Sequence, residues 1–119
     1  MELKKDIVRD LYAVKLTAEE GGKIIAWGFL YIIKNDRHPE PYGLIENIYV
    51  EQEYRGQGIG SRLLRDLVQE GKERGCYKLV MQSRHSKPEV HALYERTGFK
   101  NHGLNFRMDL IDSKAQQRD

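Results

Sequence analysis

At 119 residues, 39% of them hydrophobic and 32% charged, the chain is long enough for one packed domain and too apolar to remain disordered. Its 20 lysines and arginines against 18 aspartates and glutamates leave a formal charge of +2, too small by itself to argue for a nucleic-acid binder. One cysteine, Cys76, excludes an intrachain disulfide, and the apolar run Ile24–Ile33 is too short to span a bilayer.

Residues 1–10 form a charged lead, a helical turn or a frayed end, with no signal-peptide run behind Met1–Asp6; a cytoplasmic location is expected. Tyr12, Val14 and Leu16 alternate with Ala13 and Lys15, the pattern of a half-buried strand. Glu19–Gly22 reads as a turn, and Ile24–Ile33 as a central strand buried on both faces. These two strands are expected to pair as an antiparallel hairpin. Asn35–Pro41 is a loop. Leu44–Val50 is a third strand, although Glu46 and Asn47 are polar where a core strand favours apolar residues. Strict alternation puts Glu46, Ile48 and Val50 on one face and Asn47 and Tyr49 on the other.

Gly60–Arg74 carries a helical stripe of Leu63, Leu64, Leu67 and Val68, with Gly75 as its stop. The run Cys76–Met81 follows as a strand, parallel to the third and reached by a right-handed crossover. Cys76 reads as a buried thiol at the strand's start rather than a nucleophile. Pro88 suits a first helical position, and Val90, Ala92, Leu93 and Tyr94 carry a short helix to Thr97-Gly98. Phe99 and Leu104–Ile111 supply strand material around a turn at Asn101–Gly103. Residues 112–119 are a polar tail expected to fray. The order β-β-β-α-β-α-β describes a mixed α/β sheet, with residues 1–111 as one domain.

Between the third strand and the first long helix lies Glu53-Tyr54-Arg55-Gly56-Gln57-Gly58-Ile59-Gly60-Ser61. Alternating glycines let main-chain N–H groups converge on an anion, and the following helix directs its positive end at the same place. Arg55 adds a cation suited to phosphate oxygens. A tight turn without a ligand would use the same residues. No Gly-Lys-Ser/Thr closes the segment, which excludes a P-loop, and the GxGxG spacing differs from the GxGxxG of dinucleotide folds.

This segment resembles the pyrophosphate loop of the GNAT superfamily of acyltransferases, Q/R-x-x-G-x-G/A, matched here by Arg55-Gly56-Gln57-Gly58-Ile59-Gly60. Downstream, His91-Ala92-Leu93-Tyr94-Glu95-Arg96-Thr97-Gly98-Phe99 is similar to the family's second hallmark, a short helix ending L-Y-E-x-x-G-F. The resemblance covers Leu44 to Phe99. It implies an α/β (α+β) fold with a mixed, mostly antiparallel central sheet and helices on its faces, here shortened at its N-terminal side. The implied activity is transfer of an acetyl group from acetyl-CoA to a primary amine in a ternary complex. The implied cofactor contacts run through Arg55, Gly56, Gln57, Gly58, Ile59, Gly60 and Ser61 for the diphosphate, and the backbone of Ile48, Tyr49 and Val50 for the pantetheine arm. A backbone N–H near Ile48 is the implied oxyanion donor.

Aminolysis of a thioester also needs a base for the amine and a proton for the departing sulfur. By the resemblance Tyr94 is the general acid, against a plain packing role for an aromatic in an apolar stripe. Glu46 is the candidate general base, against a solvent-facing carboxylate. His91 suggests a structural or cofactor-edge role. His38, His85, His91 and His102 lack the spacing of metal ligands, so no metal is expected.

Two positions depart from the family pattern. Lys87 stands seven residues before Tyr94, where the family commonly has asparagine; it is expected to reach cofactor phosphates instead. The family's usual first strand and following two helices have no counterpart before Leu11. Either the acceptor site is open and suited to a bulky amine, or a second subunit completes it; a homodimer is expected. The alternative to an enzyme is an acyl-CoA-binding module without turnover. Nucleic acid and membrane are not expected as partners, because Arg62, Arg65, Lys72 and Arg74 read as a solvated helix face.

Overall fold

The structure, a computed structural model, describes residues 1–82, 88–103 and 105–111, with the side chains of Pro88 and Glu89 excepted. The expectations for Lys87, His85, Leu104 and the 112–119 tail lie outside the described residues. The chain divides into two compact units, Met1–Met81 and Gln82–Asp119.

The first unit is a sheet of four strands in the order β1 (Tyr12–Glu20), β2 (Lys23–Ile33), β3 (Tyr42–Val50) and β4 (Leu79–Met81). β1–β2 and β2–β3 are antiparallel, and β3–β4 is parallel, so the mixed, mostly antiparallel sheet is as expected. A short 3-10 turn, Gln52–Tyr54, leads into α1 (Ile59–Glu73), which covers one face.

β2 supplies the core because its residues alternate cleanly. Ala26, Gly28, Leu30 and Ile32 are buried beneath α1, where Leu63, Leu64 and Leu67 meet them. Each fully buried leucine or isoleucine stabilises by roughly 1.5–3 kcal/mol. Trp27, Phe29, Tyr31 and Ile33 point the other way and are only half-buried. Burial on both faces was expected; the described first unit has one helix, and it covers one face. Gly28 sits beneath α1: a Cβ there would lie 3.0 Å from Leu67 Cδ1 and 3.2 Å from Ile48 Cγ1.

α1 ends as its sequence suggested. Gly75 adopts φ +77°, its amide donates to the Lys72 carbonyl, and the Cys76 amide donates to the Gly71 carbonyl. That second bond ties Cys76 to the helix end. The expected strand over Cys76–Met81 therefore begins only at Leu79. Tyr77 donates its amide to Pro41, and Gly43 donates its own to Lys78, which fixes the entry to the parallel pairing.

In the second unit α2 (Pro88–Thr97) closes with the same device. Gly98 at φ +109° donates to Glu95, and Phe99 donates to Tyr94. The strand expected over Leu104–Ile111 does not form among residues 105–111. Arg107 and Asp109 pair at 2.7 Å on one side of that segment, and Phe106, Met108 and Leu110 are 92%, 82% and 85% exposed.

Candidate active site

The site is built where β3 outruns β4. Parallel pairing covers Gly43–Ile45 against Leu79–Met81 and stops there, while β3 continues to Val50. β3 is also irregular at that point. Phe29 faces Glu46 and Trp27 faces Tyr49, so the single residue Gly28 opposes both Asn47 and Ile48. This is a β-bulge, and Asn47 carries it at φ +56°, a left-handed conformation that asparagine tolerates better than other side chains.

The bulge corrects the expected faces. Ile48 lies toward Leu67, and Val50 lies toward α1, 3.7 Å from where a Gly60 Cβ would stand. Glu46, opposite Phe29, shares the outer face with Tyr49, opposite Trp27. Glu46 is thus separated from Ile48 and Val50 rather than aligned with them, because the extra residue reverses the alternation. Glu46 and Asn47 are exposed.

The glycine turn follows directly. Gly56 and Gly58 take φ of +80° and +81°, which disfavours any other residue although a Cβ at either would meet nothing within 4 Å. Gly58 is the N-cap of α1, no side chain caps the helix, and its first turn holds no acidic residue. The leading N–H groups of α1 have no partner within the helix. Arg55 folds back on β3: its Nε donates to the Val50 carbonyl at 2.8 Å, and its guanidinium lies 5.4 Å over the Tyr49 ring. Gln57 is exposed; Ile59, Gly60 and Ser61 are half-buried. A cradle of left-handed glycines, uncapped amides and one tethered cation, with no carboxylate in the helix's first turn, fits a diphosphate.

The structure therefore brings together Glu46, Ile48, Tyr49, Val50 and the Arg55–Ser61 turn in the first unit. Tyr94 belongs to the second unit, half-buried on α2, with His91 exposed one turn earlier. The Gly98-Phe99 half of the helical signature has a structural job, since Phe99 caps the Tyr94 carbonyl at 3.0 Å. Cys76 behaves as a packing thiol: burial pushes its pKa up, against a smaller lowering by Arg74. Among the described residues no group of three His, Cys, Asp or Glu side chains could hold a metal, and no helix is long and apolar enough to cross a membrane.

The depressions on the first unit include these two. One, about 430 Å³, starts at Glu46 and runs over Leu44 and Tyr31 toward Ala13, Leu11 and Ile33. The other, about 420 Å³, is framed by Lys34, Asp36, Arg37, His38 and Pro39, with His38 stacked on Tyr77. The bulge and the outer aromatic face were missed in the sequence. Asn47 in mid-strand was the available signal for the first. The period of Trp27, Phe29 and Tyr31 was visible, but which face a helix covers was not.

The sequence profile described as the Acetyltransferase (GNAT) family matches residues 2–99. A glucosamine 6-phosphate N-acetyltransferase of Trypanosoma brucei brucei is 36% identical over 90 residues, 75% of this chain and 59% of that protein. The chain therefore spans less than two thirds of that relative's length. Among solved structures, the glucosamine-6-phosphate N-acetyltransferase of Arabidopsis thaliana superposes with a TM-score of 0.74 at 27% identity, covering 83% of this chain and 67% of that one. An acetyltransferase with acetyl-CoA from Clostridium acetobutylicum gives 0.67 at 28% identity, covering 82% and 64%. With the glycine turn, the bulged strand and the profile all in the same stretch of sequence, the chain belongs to the GNAT acetyltransferase family.

Proposed function

We propose that this protein is an N-acetyltransferase that moves the acetyl group of acetyl-CoA to a primary amine by direct attack in a ternary complex. The observation that carries the reading is the left-handed Gly56–Gly58 turn, at the uncapped start of α1 and beside the bulged end of β3. Acetyl-CoA, when bound, supplies the acetyl group activated as a thioester.

The chain's own residues divide the remaining work. The amides of Gly56, Gln57, Gly58, Ile59, Gly60 and Ser61, with Arg55, hold the diphosphate, and Lys87 adds a cation to the cofactor's phosphates. Main-chain groups of Ile48, Tyr49 and Val50, past the end of β4, orient the pantetheine arm. An N–H near Ile48 donates to the acetyl carbonyl oxygen as negative charge grows there. Glu46 takes, directly or through water, the proton that the ammonium loses before it attacks; once the C–N bond has formed and the C–S bond breaks, the nitrogen's second proton passes to solvent, from which Tyr94 is reprotonated. The Tyr94 hydroxyl donates to the departing sulfur; a thiol of pKa near ~8.5 needs only that modest help to leave.

The test is thiol release from acetyl-CoA across a panel of amines. Tyr94→Phe and Glu46→Gln are each expected to lower kcat by about 10²-fold, the lower end of general acid–base contributions. A Tyr94→Phe protein with full kcat on a good acceptor removes the acid role. Coenzyme A binding with no thiol release from any amine favours a non-catalytic acyl-CoA-binding module.

The reading extends to a cytoplasmic homodimer. Phe106, Met108 and Leu110 are exposed apolar side chains available to a second copy of the chain. Sedimentation equilibrium is expected to return twice the chain mass, and a monomer at working concentration counts against it. Cell fractionation tests the location.

A further inference from the structure

We propose that the depression leading away from Glu46 receives the acceptor's carbon skeleton, and that the acceptor is a small primary amine on an uncharged, apolar body. This rests on the acyl-transfer reading above and goes further by naming the substrate class. Three observations converge on it.

The trough begins at Glu46, immediately before the bulged Asn47, steps to Leu44 away from the bulge, and then crosses the sheet through Tyr31 to Ala13 on β1. An amine held at Glu46 therefore has its substituents laid along Leu44 and Tyr31 toward Ala13. Second, Glu46 is the one charged residue among those that line the trough; the others are aliphatic or tyrosine. An ammonium at that end meets a carboxylate, and the rest of the molecule meets carbon. Third, the volume of about 430 Å³ lies within the range of small-ligand sites.

A phosphorylated amino sugar fits this lining poorly. Its phosphate would lie against Leu44, Tyr31 or Ala13, none of them a cation, and the Arg74 guanidinium that donates to the Tyr12 hydroxyl at 3.4 Å is already paired with Glu70 at 3.0 Å. Lys15 stands two residues along β1 from Ala13, and its ammonium lies 5.5 Å from the Phe29 ring centroid and 6.0 Å from that of Trp27. The cations of the 34–39 loop frame the other depression.

The experiment has a turnover arm and a binding arm. Thiol release is measured with ethylamine, 3-methylbutylamine, 2-phenylethylamine and glucosamine 6-phosphate. Full burial is worth about fourfold per methylene; for an open trough, 3-methylbutylamine and 2-phenylethylamine are expected to exceed ethylamine and the sugar phosphate by about tenfold in kcat/KM. Ala13→Lys places a cation in the trough from an exposed position opposite Tyr31, where folding is not at stake. It is expected to bring the ratio of 3-methylbutylamine to ethylamine close to one. Equal use of those two amines, or preference for glucosamine 6-phosphate, overturns the proposal.

Calorimetry of 2-phenylethylamine with the protein, with and without coenzyme A, reads the trough separately from turnover. Binding that Ala13→Lys weakens about tenfold supports the proposal even where no amine releases thiol, in which case only the acyl-transfer reading fails. Absence of binding heat in both conditions sinks it.

Discussion

Asn47 decides which way the β3 side chains point. Its left-handed φ of +56° puts two residues opposite Gly28 and leaves Glu46 with Tyr49 on the outer face. A left-handed conformation costs an ordinary L-residue roughly 1–2 kcal/mol. Asn47→Val, with a branched Cβ, is therefore expected to lose about 2 kcal/mol in urea unfolding and to depress thiol release with it, whereas Asn47→Gly keeps both. If valine is tolerated without loss, the bulge does not need a left-handed residue. The sequence made Glu46 and Asn47 visible as misfits in a strand. Period-two reasoning then assigned them faces as though pairing were unbroken. One inserted residue defeats that logic for every position after it. Cys76 was legible only in part: it is half-buried rather than buried, and it stands ahead of β4 rather than at the start of a strand. Burial raises its pKa, so less thiolate exists at any given pH than in a free cysteine. Its alkylation by iodoacetamide at pH 8 should run slower than that of a model peptide and accelerate as pH rises. The linkage has the matching sign: the contribution of the neutral, half-buried thiol is full below the ordinary thiol pKa and is lost as pH climbs through the raised folded value. Equal alkylation rates for protein and peptide would falsify this.

At the scale of elements, the helices were readable because each carries its own stop. Gly75 and Gly98 occupy left-handed C′ positions, and the residue after each returns a hydrogen bond to the last turn. The strands were readable in existence and less so in extent. β4 lost its first three expected residues because the Cys76 amide serves the end of α1, a competition invisible in the apolar run itself. The expected strand near the C-terminus failed over 105–111 although Phe106, Met108 and Leu110 alternate as a strand should; alternation supplies a face, and pairing needs a neighbour. Where β3, β4 and α1 meet, Leu79 fills the space left by two glycines. A Cβ on Gly43 would stand 2.7 Å from Leu79 Cδ2 and 2.8 Å from Leu30 Cδ1, and one on Gly71 would stand 2.6 Å from Leu79 Cδ2. Leu30 is fully buried and has nowhere to retreat. Gly43→Ala is expected to cost about 1–3 kcal/mol of unfolding free energy, the usual range for overpacking a core. A truncating partner change, Leu79→Ala, should recover part of that loss in the double variant. Strict additivity of the two would show that the contact is not the cause.

For the molecule as a whole, the fold class was legible because hydrophobic period, turn residues and the two motifs all agreed. The candidate site was legible as a loop and less so as a surface. Trp27, Phe29 and Tyr31 were read as core, since a strand cannot report which of its faces a distant helix covers. The cofactor cradle makes a claim that can be read from global stability. A ligand that binds only the folded chain stabilises it by RT ln(1 + [L]/Kd), about 2.7 kcal/mol at a hundred times Kd. Coenzyme A at that excess should raise the unfolding free energy by this amount, without any acceptor present. Arg55 then separates two roles for one side chain. It ties the loop to β3 through the Val50 carbonyl, an exposed hydrogen bond worth little to the free protein, and it offers the rest of its guanidinium to phosphate. Loss of a charge-assisted contact of about 1.4 kcal/mol weakens binding roughly tenfold. Arg55→Ala is therefore expected to keep the unliganded stability within about 0.5 kcal/mol and to cut the coenzyme A increment from about 2.7 to about 1.4 kcal/mol at the same ligand concentration. If instead the unliganded protein loses as much as the liganded one and the increment is unchanged, Arg55 is a strand tie alone, and the diphosphate is held by main-chain amides without it.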